Sequence, residues 1–147
     1  MIRKVSVPGK SLTGSISLPA SKSAAHRAIL CASLAKGISH LSNFSFSQDM
    51  EATCRAVEAL GVKTALTGDT LTVDSRSLFA PNQAVLDCGE SGSTLRFLLP
   101  VTGALGIDAT FHLEGRLPSR PLSPLWEEME RMGCTLTRPT ADTVRCT

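Results

Sequence analysis

The sequence has no excess of either charge and no long apolar run. Its 15 lysines and arginines nearly balance 13 aspartates and glutamates, so the formal net charge is only +2. The basic residues are scattered, whereas a broad nucleic-acid surface carries a basic stripe. No apolar stretch reaches the roughly 20 residues needed to cross a bilayer. These absences argue against nucleic-acid and membrane partners, but they leave room for a small cationic pocket.

The cysteines form no disulfide or metal-binding pattern. There are five, an odd number, with no Cys-x-x-Cys pair and no histidine at metal-ligand spacing. This predicts small, buried, apolar side chains in a reducing compartment and argues against a zinc site. The sequence also passes from Met1 directly into residues 5–7 (VSV) without a signal or transit peptide, so we expect a cytoplasmic protein.

Length and composition are those of one globular domain. The 147 residues are 42% apolar and 19% charged, which suffices for a buried core. Apolar periodicity then alternates between the strand and helix patterns. The first half of the chain predicts the following order of elements: strand 14–18, helix 23–35, strand 38–44, helix 49–60, and hairpin strands 62–66 and 71–74.

The second half repeats that order. Its predicted elements are strand 85–88, helix 91–105, strand 109–113, helix 121–132, and hairpin strands 134–137 and 144–146. Short sequences recur at equivalent points, since EALG (58–61) and ERMG (130–133) each end a helix and begin a hairpin. We therefore predict an α/β (α+β) fold of two repeated βαβαββ units, 14–80 and 81–147, joined at Pro81-Asn82.

Polar and basic residues cluster where the first helix begins, in the sequence PASKSAAHR (19–27). The free N–H groups and the dipole of a helix N-terminus favour an anion there. Lys22 adds a mobile ammonium, and Arg27, four residues after Ser23, adds a planar fork on the same helical face. The alternative is a capping serine with two solvated cations. His26 is expected to be an orienting or core residue rather than a ligand.

The second unit begins its first helix in the same way, with CGESGSTLR over residues 88–96. Gly92 allows a ligand to approach backbone N–H groups closely, and Arg96 follows it by four residues, as Arg27 follows Ser23. A buried structural arginine is the alternative for Arg96. In a symmetric fold the two equivalent corners would meet at one end, so the repeat favours a shared anion site.

A third basic segment, GRLPSRP, spans residues 115–121. Arg120 precedes Pro121, and the residue before a proline is held extended, while proline itself suits the first turn of a helix. Arg120 therefore extends from a fixed backbone. An exposed loop arginine is the alternative, and Arg116 is a competing cation.

Together the three segments resemble the 5-enolpyruvylshikimate-3-phosphate synthases. PASKSAAHRAILCASLAKG is similar to the N-terminal signature of that family, CGESGSTLRFLLP to its second signature, and GRLPSRPLSPL to its Arg-Pro segment followed by a helix. The order and the intervals agree over essentially the whole chain. The resemblance implies the enolpyruvyl transferase fold, an inverse α/β barrel with helices inside and sheets outside.

The resemblance also implies an activity. The family transfers the enolpyruvyl group of phosphoenolpyruvate to the 5-hydroxyl of shikimate 3-phosphate, in aromatic amino acid biosynthesis, without a metal or cofactor. By this resemblance Ser23 and Arg27 hold shikimate 3-phosphate. Lys22 contacts both substrates as a catalytic residue, and Gly92 and Arg120 hold phosphoenolpyruvate. Two polyanions side by side need several fixed donors, and preorganised cations stabilise the charged states of the transfer.

Two departures from the family pattern stand out. Glu90 and Ser91 occupy positions where many relatives have Asn and Ala, and we expect Glu90 to pair with a nearby arginine. The chain is also far shorter than family members, so we expect the third unit and the whole second domain, with the acid/base residues, to be missing. Residues 1–13, with a strand over 4–8, would belong to that second domain. The chain alone is expected to be inactive, and its main partner is the remainder of the enzyme.

Other functions stay open on the sequence alone. The sister enolpyruvyl transferase that acts on UDP-N-acetylglucosamine shares the fold, but its first helix carries Lys-Asn instead of Lys-Ser followed by Arg. A non-catalytic polyanion-binding module is a different class. The RNA 3′-terminal phosphate cyclases are its nucleic-acid version, and the modest net charge argues against them.

Overall fold

The fold is described by a computed structural model for residues 20–77 and 81–147, together with residues 9, 13–16 and 18. The strand predicted over residues 4–8 lies outside the described residues, as does most of segment 1–13. Within the described part the chain forms helices and two sheets. The predicted mixed α/β class is therefore confirmed.

The first half of the chain folds into two helices and a three-stranded sheet. Its elements are α1 (Lys22–Leu34), β1 (Ile38–Leu41), α2 (Gln48–Glu58), β2 (Lys63–Thr67) and β3 (Thr70–Asp74). Ser21 and Ser47 cap the two helices by accepting hydrogen bonds from backbone N–H groups three residues later. Gly61, with a φ of 94°, lets the chain turn from α2 into the β2–β3 hairpin. The strands are antiparallel in the order β1-β3-β2.

The second half folds into two helices and a four-stranded sheet. Its elements are β4 (Gln83–Asp87), α3 (Gly92–Ala104), β5 (Asp108–His112), a short 3-10 turn (Leu117–Ser119), α4 (Leu125–Arg131), β6 (Leu136–Thr137) and β7 (Thr143–Cys146). The strand order is β4-β5-β7-β6. β4 and β5 run parallel, joined by the crossover helix α3, and the other pairs are antiparallel.

Within the described residues the two sheets repeat one topology, and the second sheet has one further strand, β4. β5-β7-β6 has the same order and antiparallel pairing as β1-β3-β2. The strand predicted over residues 14–18, the counterpart of β4, is not formed at the described residues 14–16 and 18. Among the described residues Ile16 and Leu18 have no packing surface, since they are 85% and 77% exposed, and an unpacked strand is not stable on its own. That prediction is wrong for the described residues.

Two element boundaries also differ from the predictions by three residues or more. β1 ends at Leu41 rather than residue 44, because Asn43 takes a positive φ of 55° and Phe44 N donates to Asp69 O at 2.7 Å instead. α4 begins at Leu125 rather than residue 121. A helix that began at residue 121 would need the N–H of residue 124 for its first hydrogen bond, and Pro124 has none.

One hydrophobic core runs through both halves. Its members come from the helices and from both sheets and form one contiguous cluster. Ile29, Val57, Leu71, Leu99 and Phe111 are each at most 1% exposed. The helices pack in chain order, α1 on α2, α2 on α3, and α3 on α4. None of the described helices has the length and apolar content needed to cross a membrane.

The cysteines fit their prediction only in part. Cys54, Cys88 and Cys146 are buried, whereas Cys134 is half-buried and Cys31 is exposed on the outward face of α1. All five are free thiols. Burial raises the pKa of Cys54 to about 11 and that of Cys88 to about 12. These two thiols therefore stay protonated and unreactive at neutral pH.

Candidate functional site

Three helix N-termini meet at one open cleft of about 500 Å³. Lys22 lies at the start of α1, Gln48 and Asp49 at the start of α2, and Gly92 and Ser93 at the start of α3. Helix N-termini present unpaired N–H groups and the positive end of the helix dipole. The other lining residues are Glu90, Arg96, Phe97 and Arg120. Such a cleft suits a negatively charged ligand.

The starts of α1 and α3 keep their positive dipole ends. Neither helix has an acidic residue in its first turn, whereas α2 has Asp49 and Glu51 there. Ser21 and Ser91 cap α1 and α3 with neutral hydroxyls, each accepting a backbone N–H at 3.3 Å. The two corners singled out in the sequence are therefore locally alike, as the repeat predicted.

Gly92 gives two guanidinium groups access to the start of α3. A Cβ atom on Gly92 would lie 2.8 Å from Arg96 Nη1 and 3.2 Å from Arg120 Nη1. Real Cβ atoms essentially never show the first distance, so any side chain at this position would displace an arginine. The glycine is thus required by close approach and not by its backbone angles.

Arg96 and Arg120 differ in what their guanidinium groups contact. Arg96 Nη1 donates to Gly92 O at 3.3 Å and its Nη2 to Pro121 O at 2.8 Å, so it ties the start of α3 to the segment that carries Arg120. Arg120 has the extended backbone predicted for a residue before proline, with φ −77° and ψ 132°. Its guanidinium lines the cleft, while Arg116 is not among the lining residues.

Ser23 and Arg27 lie on the flank of the cleft. Arg27 Nη1 donates to Ser23 O at 2.9 Å and also contacts the Ser23 hydroxyl. The Arg27 Cζ atom lies 5.1 Å from the centroid of the Phe97 ring, whose side chain lines the cleft. The structure thus brings Lys22, Gly92 and Arg120 into one cleft and places Ser23 and Arg27 beside it, beyond Phe97.

The sequence alone does not indicate that the start of α2 and Phe97 line the cleft. An ion pair joins Lys22 Nζ to the Asp49 carboxylate, and the Asp49 side chain is the more buried of the two. In the sequence Asp49 is only a first-turn acid of a helix, and Phe97 only an apolar residue of α3. No local signal identifies either, because their positions depend on how α1, α2 and α3 pack.

Glu90 differs from its expectation. Among residues 20–77 and 81–147, no lysine or arginine forms an ion pair with its carboxylate. The side chain lies instead over Gly115, where a Cβ atom would sit 1.8 Å from Glu90 Oε1. Gly115 has a φ of 53°, so the chain turns there and leaves the space that Glu90 fills. Packing against this turn, rather than charge pairing, holds Glu90 at the cleft.

His26 is a core residue, as expected. It is 1% exposed, and its Nδ1 lies 2.8 Å from Thr53 Oγ1. Burial lowers the pKa of His26 below its ordinary value of 6.5, and the positive charges of Lys22 and Arg27 lower it further. The imidazole is therefore neutral at physiological pH and adds no charge to the cleft.

This burial predicts that the chain loses stability in mild acid. Below pH 6.5 the unfolded chain binds a proton at His26 that the folded chain binds less readily. The free energy of unfolding is therefore at its full value above pH 6.5 and decreases as the pH falls. Urea denaturation between about pH 7.5 and pH 5 should show a slope of at most about 1.4 kcal/mol per pH unit. His26→Gln should reduce this slope, and a slope of unchanged size in the variant contradicts the assignment.

The fold is shared with solved enzymes of one class. It is similar to the EPSP synthase from Acinetobacter baumannii, with a TM-score of 0.78 and 27% identity, over 91% of this chain and 32% of that chain. It is also similar to the enolpyruvyl transferase NikO from Streptomyces tendae, with a TM-score of 0.63 and 18% identity, over 95% of this chain and 31% of that chain. The second likeness is one of fold alone. The fold is that of the enolpyruvyl transferases.

Sequence comparison narrows the class to a family. The sequence model of the EPSP synthase (3-phosphoshikimate 1-carboxyvinyltransferase) family matches residues 7–141, and the chain belongs to this family. The 3-phosphoshikimate 1-carboxyvinyltransferase of Clostridium kluyveri is 40% identical over 126 residues, covering 86% of this chain and 30% of the relative. That of Clostridium perfringens (strain SM101) is 42% identical over 130 residues, covering 88% and 31%. The chain thus spans about 30% of the length of these curated relatives.

Proposed function

We propose that this chain supplies the N-terminal part of the active site of a 3-phosphoshikimate 1-carboxyvinyltransferase. The reaction moves the enolpyruvyl group of phosphoenolpyruvate to the 5-hydroxyl of shikimate 3-phosphate and releases phosphate. The observation that carries the proposal is the convergence of three helix N-termini with Lys22 and Arg120 around one cleft. Both substrates are polyanions, and fixed cations and helix dipoles bind such groups without reorganising.

The proposed roles follow the layout of the cleft. Ser23 and Arg27, on its α1 flank, hold shikimate 3-phosphate through a hydroxyl and a planar guanidinium. The backbone at Gly92 and the side chain of Arg120 hold phosphoenolpyruvate. Lys22 lies at the cleft next to Asp49, where its ammonium reaches both substrates and stabilises charge during the transfer.

The remaining parts of the proposal concern the whole enzyme. Residues 14–80 and 81–147 are two repeated units, and a third unit and a second domain supply the rest of the active site, including the acid/base groups. Relatives more than three times as long as the matched segment support this division. The enzyme acts in the cytoplasm on small-molecule substrates, without a cofactor and without nucleic-acid or membrane partners.

Calorimetric titration of the chain tests the proposal. We expect weak binding of shikimate 3-phosphate and weaker or no binding of UDP-N-acetylglucosamine, because Ser23 and Arg27 form a phosphate site on α1. We expect no release of phosphate when both substrates are present, since the acid/base groups lie elsewhere. A preference for the nucleotide sugar contradicts the assigned substrate, and measurable turnover by the purified chain contradicts the assignment of a partial site.

A further inference from the structure

A continuous chain of polar side chains crosses the interior behind the cleft. His26 Nδ1 on α1 lies 2.8 Å from Thr53 Oγ1 on α2, and Thr53 Oγ1 lies 2.7 Å from Thr94 Oγ1 on α3. Thr94 Oγ1 is in turn 2.7 Å from the hydroxyl of Ser91, the N-cap of α3. All four side chains are at most 2% exposed. Hydrogen bonds thus connect three helices through the core.

Each residue of this hydrogen-bonded network lies within about one helical turn of a residue that lines the cleft. His26 is four residues after Lys22, and Thr53 is four residues after Asp49, whose backbone carbonyl accepts the Thr53 hydroxyl at 3.0 Å. Ser91 directly precedes Gly92. The relative placement of the three helix starts is therefore coupled to the hydroxyls behind them.

The hydrogen atoms available in this network of side chains define the tautomer of His26. Thr53 Oγ1 has three polar neighbours but only one hydrogen. Thr94 Oγ1 gives its own hydrogen to the Ser91 hydroxyl, so both it and the Asp49 carbonyl can only accept from Thr53. The single Thr53 hydrogen is therefore shared between these two acceptors, and His26 Nδ1 must donate to Thr53. His26 is then the neutral Nδ1–H tautomer. Its Nε2 is a buried lone pair that has no hydrogen-bond partner in the part of the chain that the structure describes.

A network of buried polar side chains is an unusual way to fill a core. Burying a hydroxyl is unfavourable unless it is fully paired, whereas apolar side chains of the same shape can fill the space at little loss. Buried polar networks specify one arrangement, because each partner accepts only one geometry. On the proposed function, the arrangement that needs specifying is that of Lys22, Asp49 and Gly92 around two polyanions.

We infer that Thr53, with His26, Thr94 and Ser91, positions the N-termini of α1, α2 and α3 and thereby sets the anion affinity of the cleft. Thr53 is a positioning residue, since it does not line the cleft and acts through Lys22, Asp49 and Gly92. The inference rests on the proposed function for the identity of the ligands. The positioning effect of these hydroxyls applies to any anion that carries a phosphate group, whichever the substrates are.

The test compares Thr53→Val, which keeps the shape and removes the hydroxyl, with Thr53→Ser, which restores it. Inorganic phosphate, phosphoenolpyruvate and shikimate 3-phosphate serve as probes in titrations of the folded chain. Thr53→Val should bind phosphate about tenfold more weakly, because one hydrogen bond at the centre of the network is lost. Thr53→Ser should recover the affinity. Nitrogen-15 NMR of His26 should show the Nδ1–H tautomer in the parent chain and in Thr53→Ser, and a tautomer mixture in Thr53→Val.

Thr102→Val is the matched control. Thr102 is equally buried on α3, but its hydroxyl donates only to Leu99 O within its own helix. It should lose stability without losing affinity. If folded Thr53→Val binds phosphate as tightly as Thr102→Val does, or if serine does not rescue it, the positioning inference is wrong. If the parent chain binds phosphate but neither substrate, the proposed function is wrong. The positioning inference is then decided by the phosphate affinities of the variants alone. If the parent chain binds none of the three probes, both the proposed function and the positioning inference are wrong.

Discussion

Gly92→Ala is expected to weaken the binding of phosphoenolpyruvate to the chain by about tenfold or more. The new methyl group would lie 2.8 Å from Arg96 Nη1 and 3.2 Å from Arg120 Nη1, so at least one guanidinium must move away from the start of α3. Both atoms are the far ends of flexible side chains, so the shift costs the folded chain little and the loss falls on the ligand. A hydrogen bond to a charged group contributes about 1.5–3 kcal/mol, and each 1.4 kcal/mol is about tenfold in affinity. Isothermal calorimetry of the two folded chains measures the difference.

Gly103→Ala provides the control for the clash itself. Gly103 lies on the same helix, and its added methyl group would sit 2.8 Å from Cys134 Sγ, away from the cleft. This variant should unfold at a lower temperature and still bind phosphoenolpyruvate normally. Equal losses of affinity in the two variants would show that Gly92 acts only through the stability of α3.

Arg120→Gln is expected to weaken phosphoenolpyruvate binding by roughly tenfold to a hundredfold. A hydrogen bond to a charged group contributes about 1.5–3 kcal/mol, and glutamine keeps a donor but loses the charge and the planar fork. Binding of shikimate 3-phosphate should change less, because Ser23 and Arg27 lie on the other side of Phe97. Separate titrations with each substrate measure this selectivity.

Arg131→Gln is the control for the loss of one positive charge. Arg131 is exposed on α4 and pairs with Glu128, away from the cleft. Its replacement should leave both affinities unchanged apart from a small, salt-dependent effect. A loss for both substrates in Arg120→Gln, equal in size, would contradict the assignment of Arg120 to phosphoenolpyruvate alone.

Features set by neighbouring residues could be predicted from the sequence. The helix starts at Ser21 and Ser91 follow from capping hydroxyls, which act within three residues. The extended backbone of Arg120 follows from Pro121 in the same way. The family signatures then added the proposed roles of Lys22 and Gly92, which no periodicity argument supplies.

Features set by packing between distant segments could not be predicted. The ion pair of Lys22 with Asp49 joins helices that are separated by β1, and nothing near either residue indicates it. The pairing of His26 with Thr53 is of the same kind. The strand expected over 14–18 is not formed at the described residues 14–16 and 18 for a related reason. Alternation describes a strand that has a neighbour, and Ile16 is 85% exposed.

The central claim is that the first turns of α1 and α3 bind anions in one shared cleft. Two-dimensional amide NMR of the chain, during titration with phosphoenolpyruvate in the presence of shikimate 3-phosphate, tests it directly. We expect the amide signals of Lys22, Ser23, Gly92 and Ser93 to move together and to saturate at the same ligand concentration. Signals that move at only one of the two helix starts, or mainly on the outer strands, would contradict it.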